Sequence, residues 1–392
     1  MKKLVVPADP ALYKHNHQYL THDNMTVSKT VFNLEKTQDQ YTTTGLFFGG
    51  EPGLFDTVNK QYPKIWSLYK EMKSLDWDEG EVDYSQCNSD FKNCPKGVSD
   101  MMIKTLAWQW EADSVASRSI APVFAPFISS SELWAAWQRI SDNEVIHAAA
   151  YSEIVRMSFD NPSEVLTDVL SIQESIARLE SVAKSFEDLY TASHKYAIRE
   201  IEADQTTYNK LYKGIVALLL LERIQFMSSF AITFTIVDSG WFQPIGAIVK
   251  KIAQDELEVH CELDKEVLNV EHKTEKGSIA REETKDDVLK MFNEVVEGEL
   301  AFVDYLFSEG RSLVGTNPDI VKQWVLFNAK DVANFLNLET KYVFPKTNPM
   351  PHLEMWLNMN KQQAAPQEQD VVAYKVGIIV DDAGEDSIDA DF

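Results

Sequence analysis

The chain has 392 residues, with 61 Asp and Glu against 37 Lys and Arg, for a formal net charge of −24. Its 44% hydrophobic and 25% charged residues are the composition of a folded soluble protein, which excludes disorder for most of the length. So acidic a chain repels phosphate, which argues against nucleic acid or an anionic membrane as a partner.

The opening MKKLVVPADP has too short an apolar run for a secretory signal, and residues 214–221, the longest strongly apolar stretch, are too few to cross a bilayer. Cys87, Cys94 and Cys261 contain no CxxC and suggest neither a disulfide framework nor a zinc site. A cytoplasmic protein is expected.

Residues 1–60 read as an irregular N-terminal arm rich in Thr, Asn, Gln and Gly. Helical periodicity begins at Tyr62, with Ile65, Leu68, Met72 and Leu75 at spacings of three and four. A polar loop holding Cys87 and Cys94 follows. A helix over 98–118 is expected to break at Pro122 and Pro126. A long helix then occupies about 129–159, with Ser131 as its cap. Asn161-Pro162 ends it, and helical pattern resumes to about Tyr212. Two apolar helices are predicted at about 213–237 and 243–269, then a charged connector at 270–285. Further helices cover 286–313 and 318–345, where Pro345, Pro349 and Pro351 stop the pattern. The end lacks a helical stripe and places six acids and no base after Val380. The predicted organisation is an arm at 1–60, a helical domain at 61–345 and a flexible acidic tail at 346–392. The fold class is all-α, without βαβ alternation or a solenoid repeat.

The chemistry lies in a few acids inside apolar helices. Glu144 and His147, in NEVIHAAAY, are three apart and share one helix face. A buried carboxylate and imidazole need a partner, and a metal ion is one. Alone, the pair is better explained as a hydrogen-bonded couple. The pattern recurs, however. Glu222 interrupts IVALLLLERIQF, Asp113 sits in WQWEADSVA, and KKIAQDELEVH holds Asp255 and Glu256 with His260 four residues on. Three Glu, one Asp and two His on four helices match the way helix bundles hold two carboxylate-bridged metals. Hard oxygen donors with imidazole suit iron or manganese. Asp255, Glu256 and Glu258 cannot all face inward. Tyr151 lies four residues past His147, Phe226 and Phe230 four and eight past Glu222, and Ile252 four before Glu256. Tyr151 would be a packed core residue or a redox partner of the centre, and Phe226, Phe230 and Ile252 would wall it, either as plain core or as a shield for a radical.

Together these residues resemble the radical-generating small (beta) subunit of class I ribonucleotide reductase, from about Tyr62 to the tail. The resemblance implies a ferritin-like dimetal-carboxylate bundle with extra helices. It implies metal ligands at Asp113, Glu144, His147, Glu222, Glu256 and His260, binding two iron ions per chain with manganese as the alternative. It implies a radical at Tyr151, a pocket of Phe226, Phe230 and Ile252, and a proton-coupled electron path from Trp77 through Asp255 to His147. In the tail APQEQDVVAYKVG, Glu368 and Tyr374 take the positions for radical exchange with the large (alpha) subunit. A homodimer is also implied. The sequence departs from the family in DELEVH, which spaces Glu256 and His260 by four where three is usual. A helix bulge would absorb one residue. Glu258 competes for the ligand role, and the A-x-D-E context of Ala253, Asp255 and Glu256 favours Glu256. Neither GxxxxGK[ST] nor GxGxxG occurs, which fits a subunit that supplies a radical to a nucleotide held elsewhere. The competing expectations are a hydroxylase or other oxygenase of the same bundle, a ferritin-like iron-binding protein, and a purely structural helical protein.

Overall fold

The computed structural model describes residues 45–49, 55–169 and 171–357. Apolar residues three and four apart become the inner faces of helices. Pro63, whose fixed φ suits a first turn, opens α1 (Pro63–Ser74), which buries Ile65, Leu68 and Met72. After it come α2 (Ser85–Asn93), α3 (Lys96–Phe124) and α4 (Ser131–Ser158). Next are α5 (Pro162–Val169), α6 (Gln173–Ala197) and α7 (Gln205–Leu220). A π-turn (Leu221–Gln225) carries α7 on into α8 (Met227–Asp238). A second π-turn (Asp255–His260) joins α9 (Gln243–Gln254) to α10 (Cys261–Glu271) in the same way. Then follow α11 (Glu275–Glu283), α12 (Lys285–Leu306), α13 (Pro318–Leu336) and the short α14 (Glu354–Leu357). An isolated antiparallel bridge pairs Phe47 with Ile128, and no named strand occurs among the described residues.

Four rods make the centre: α3, α4, α7–α8 and α9–α10. The pair α3 and α4 pack along their length, α8 lies on α3, α9 touches α4, and the two π-turns face each other. One continuous apolar core surrounds them and takes in Leu46 near one end and Met350 and Leu353 near the other. By length and composition, Gln205–Asp238 is apolar enough to cross a membrane, yet 94% of its most apolar window is buried inside the fold. It is the central core helix.

Several local expectations shift. Pro122 does not break α3, because a proline in the last turn forfeits only its own backbone bond, to the Arg118 carbonyl, without changing the helical φ; next to it, Ala121 N–H donates to Ser141 Oγ at 3.1 Å. The cap of α4 is Ser130, whose Oγ accepts from Leu133 N–H at 3.3 Å, and Ser131 is the first helical residue. The polar loop forms α2, burying Cys87 and Asp90. Within the charged connector, Thr274 caps α11 by accepting from Gly277 N–H at 3.0 Å. The last long helix stops at Leu336 rather than 345, because Asn337 turns left-handed (φ 55°).

Candidate metal centre

Six predicted ligands converge from the four central rods. Asp113 comes from α3, Glu144 and His147 from α4, Glu222 from the first π-turn, and Glu256 and His260 from the second. All are buried, none more than 2% exposed. The π-turn at Asp255–His260 explains the long spacing: a widened turn takes up the inserted residue and keeps Glu256 and His260 on one side. Glu256 enters the cluster. Glu258 lies outside it, half-buried.

The donors form two groups, Asp113–Glu144–His147–Glu256 and Glu144–Glu222–Glu256–His260, each with its ligand atoms within 4.8 Å of one another. Glu144 and Glu256 belong to both. His147 Nδ1 lies 3.5 Å from Glu144 Oε2 and 3.2 Å from Glu256 Oε1. His260 Nδ1 lies 3.4 Å from Glu144 Oε1 and 3.4 Å from Glu256 Oε2. Each shared carboxylate therefore presents one oxygen to each histidine, as a bridge between two cations would require. Asp113 completes the first group, 3.8 Å from His147 Nδ1, and Glu222 the second, 3.2 Å from His260 Nδ1. Ligands about 2.1 Å from a shared octahedral cation lie roughly 3 Å apart, close to most of these separations.

Hydrogen bonding supports the same reading. Both oxygens of Asp113 and Glu256, Glu144 Oε2, Glu222 Oε2 and both histidine Nδ1 atoms are buried without a hydrogen-bond partner. So many orphaned donor atoms aimed at two points are costly unless cations sit between them. Without metal, protons take over the compensation. Burial, reinforced by neighbouring acids, pushes the Asp113 and Glu222 carboxyls well above their usual range. Burial works against charge on His147 and His260, but the surrounding carboxylates outweigh it and raise both. Glu256 is also penalised by burial, yet His260 and His147 hold it well below the usual carboxylate range.

The outer nitrogens of the histidines are held differently. His147 Nε2 lies 3.1 Å from Asp255 Oδ2, which accepts from Trp77 Nε1 at 2.8 Å. Trp77 also stacks on the His147 ring at 5.7 Å between centroids. His260 Nε2 faces the Asn143 amide nitrogen at 3.5 Å, while Asn143 Oδ1 is buried and unpartnered. The amide's oxygen and nitrogen ends have nearly the same shape, and the orientation with Oδ1 toward His260 would satisfy both groups once Nδ1 binds a metal.

Tyr151 is buried, and its hydroxyl donates to Gln109 Oε1 at 3.1 Å. Burial, with the charges of Asp113, Glu256 and Glu144, pushes the phenol well above its ordinary value. Phe226 and Phe230 stack on each other at 5.5 Å, and both are buried, as is Ile252. Glu368 and Tyr374 lie outside the described residues. Sequence reasoning missed Gln109 and Asn143. Gln109 is one helical turn before Asp113 and Asn143 directly precedes Glu144, so helical spacing alone could have flagged the first.

The profile of the family "Ribonucleotide reductase, small chain" matches residues 54–349. The ribonucleoside-diphosphate reductase subunit beta of Haemophilus influenzae is 29% identical over 349 residues, covering 85% of this chain and 92% of that protein. The protein of the same name from Buchnera aphidicola is 28% identical over 368 residues, covering 90% and 96%. Among solved structures, the ribonucleotide reductase R2 subunit of Clostridium botulinum superposes with a TM-score of 0.73 at 20% identity, covering 84% of this chain and 98% of that one. The dimanganese(II) NrdF of Streptococcus sanguinis superposes at 0.61 with 16% identity, covering 77% and 98%. These two likenesses concern the fold.

Proposed function

The chain belongs to the ribonucleotide reductase small-chain family, and on that premise we propose that it is the radical-generating beta subunit of a class I ribonucleoside-diphosphate reductase. The observation that carries the reading is the pair of acid–histidine groups sharing Glu144 and Glu256, with Tyr151 buried beside them. Asp113, Glu144, His147 and Glu256 would hold one metal ion; Glu144, Glu222, Glu256 and His260 would hold the other. Two iron ions are the favoured pair and manganese the alternative, since hard carboxylates and imidazole suit both. When bound, such a pair supplies the reaction with dioxygen and a one-electron oxidising equivalent.

The chain's own residues do the rest. Tyr151 would give up an electron to the metal pair and its phenolic proton to a neighbouring carboxylate of the cluster, and so store the oxidising equivalent, while Gln109 Oε1 fixes the hydroxyl. Phe226, Phe230 and Ile252 keep water and reductants away. Trp77, Asp255 and His147 form the hydrogen-bonded path by which an electron and a proton move together. Glu368 and Tyr374 would continue that path to the large subunit, which holds the nucleotide. A second copy of this chain completes the assembly.

An oxygenase of the same bundle would need room for a substrate. Such an enzyme would have no use for the hydrogen-bonded run from Trp77 through Asp255 to His147, which favours radical storage. The test is reconstitution with a large subunit. Ribonucleoside diphosphate reduction should require this chain and its metal, and a metal-loaded chain that supports none overturns the proposal.

A further inference from the structure

A second buried charge cluster lies behind the first π-turn, and the metal site does not use it directly. Arg178, on α6, is buried in the core. Its guanidinium is sandwiched between the rings of Trp108 on α3 and Phe302 on α12, 3.8 Å from each centroid. Nε donates to Glu299 Oε1 at 2.7 Å. Nη1 reaches Ser229 Oγ at 3.4 Å, and Nη2 reaches Ser228 Oγ at 3.3 Å and the carbonyl of Gln225. Ser228 Oγ donates to Glu299 Oε2 at 2.7 Å, and Gln225 Nε2 donates back to the Arg178 carbonyl.

Desolvating two such charges offsets most of their attraction, so a buried pair adds little net stability over well-packed apolar residues. What the cluster touches suggests its use. Gln225 is the last residue of the π-turn that presents Glu222. A π-turn interrupts the regular backbone ladder, and its carbonyls need other donors. The same Arg178 rests on Trp108, which contacts Phe226 at 6.4 Å, one residue beyond the turn. One planar cation with five fixed donors thus ties the Glu222 turn to α3 and α12. The far end of that turn places Glu222 3.2 Å from His260.

We infer that Arg178 and Glu299 are a positioning pair that holds the Leu221–Gln225 turn and so aims Glu222 into the second metal group. This inference rests on the metal-centre reading above.

The test is equilibrium Mn(II) titration, with EPR of the loaded protein, on the full-length wild type and on R178M/E299L, R178K and E299Q. The double variant replaces the pair with apolar groups of similar size, so a merely structural pair predicts a folded protein with both sites intact. A positioning pair predicts a folded protein whose second site is weakened by about 10- to 100-fold, the scale for lost support of a ligand. At two equivalents of Mn(II), it should show an uncoupled six-line signal where the wild type shows a coupled pair. R178K, which keeps the charge and loses the fork, should fall between. Wild-type affinity at both sites in folded R178M/E299L overturns the inference. Should that variant not fold, wild-type loading of both R178K and E299Q overturns it instead. A wild type that binds neither ion overturns the metal-centre reading and the inference with it, whereas loss confined to the variants' second site supports both.

Discussion

Trp77 Nε1 and Asp255 Oδ2 are hydrogen-bonded at 2.8 Å across 178 residues of sequence, and the same oxygen reaches His147 Nε2 at 3.1 Å. One carboxylate thus connects the buried Trp77 indole to a histidine of the acid–histidine cluster. Trp77→Phe keeps the packing and removes the donor. It should leave metal content and Tyr151 oxidation intact while lowering nucleotide reduction by about 100-fold or more, the scale for losing a positioned proton-transfer group. Steady-state turnover beside metal analysis checks this, and unchanged turnover in Trp77→Phe would remove the indole from the path.

The sharing of Glu144 and Glu256 makes the two metal positions unequal in their dependence on single residues. His260→Ala should strip only the Glu222 group and leave about one metal per chain, given the two-metal bundle arrangement. Glu256→Ala removes an oxygen from each group and should weaken both. Metal content after dialysis reads the difference, and equal losses in the two variants would contradict the bridging geometry.

Asn143 backs His260 with a neutral amide where Asp255 backs His147 with a carboxylate. Asn143→Ala should lower affinity at the His260 position by about 10- to 100-fold and spare the other. Isothermal titration resolves the two steps, and two unaffected steps would show that the amide supports nothing.

Much of this centre is legible in the sequence, because acids inside apolar helical stripes are conspicuous. Glu144 and His147 keep ordinary helical spacing, so their shared face follows from periodicity alone. Glu256 and His260 are four apart, also a helical spacing, and the extra residue relative to the family pattern is the mark that the π-turn leaves in the sequence. Glu222 differs, in that its turn is secured by Arg178 and Glu299 from helices 44 and 77 residues away in sequence. Such long-range partners cannot be paired by reading along the chain. Capping is legible only to within a residue, as Ser130 and Ser131 show. The short α2 and α11 are masked by their polar outer faces.

Glu271, at the end of α10, is buried, and burial pushes its carboxyl up to about 7. A folded-state value above the ordinary 4.5 means that folding favours the protonated form. Its contribution is complete below pH 4.5 and is lost as pH rises through 7. The loss is at most about 3 kcal/mol. Glu271→Gln mimics the protonated carboxyl and should flatten the decline in Tm between pH 4.5 and about 7 by several degrees. Parallel pH–Tm curves for wild type and variant would show that this carboxyl is not the cause.

The central claim is that Tyr151 stores an oxidising equivalent made at the adjacent metal centre. EPR after anaerobic loading with Fe(II) and exposure to oxygen tests it most directly. The account predicts a tyrosyl radical signal in the wild type that is absent in Tyr151→Phe at equal metal content. A tyrosyl signal that survives this substitution, or a fully loaded wild type that forms none, would contradict it.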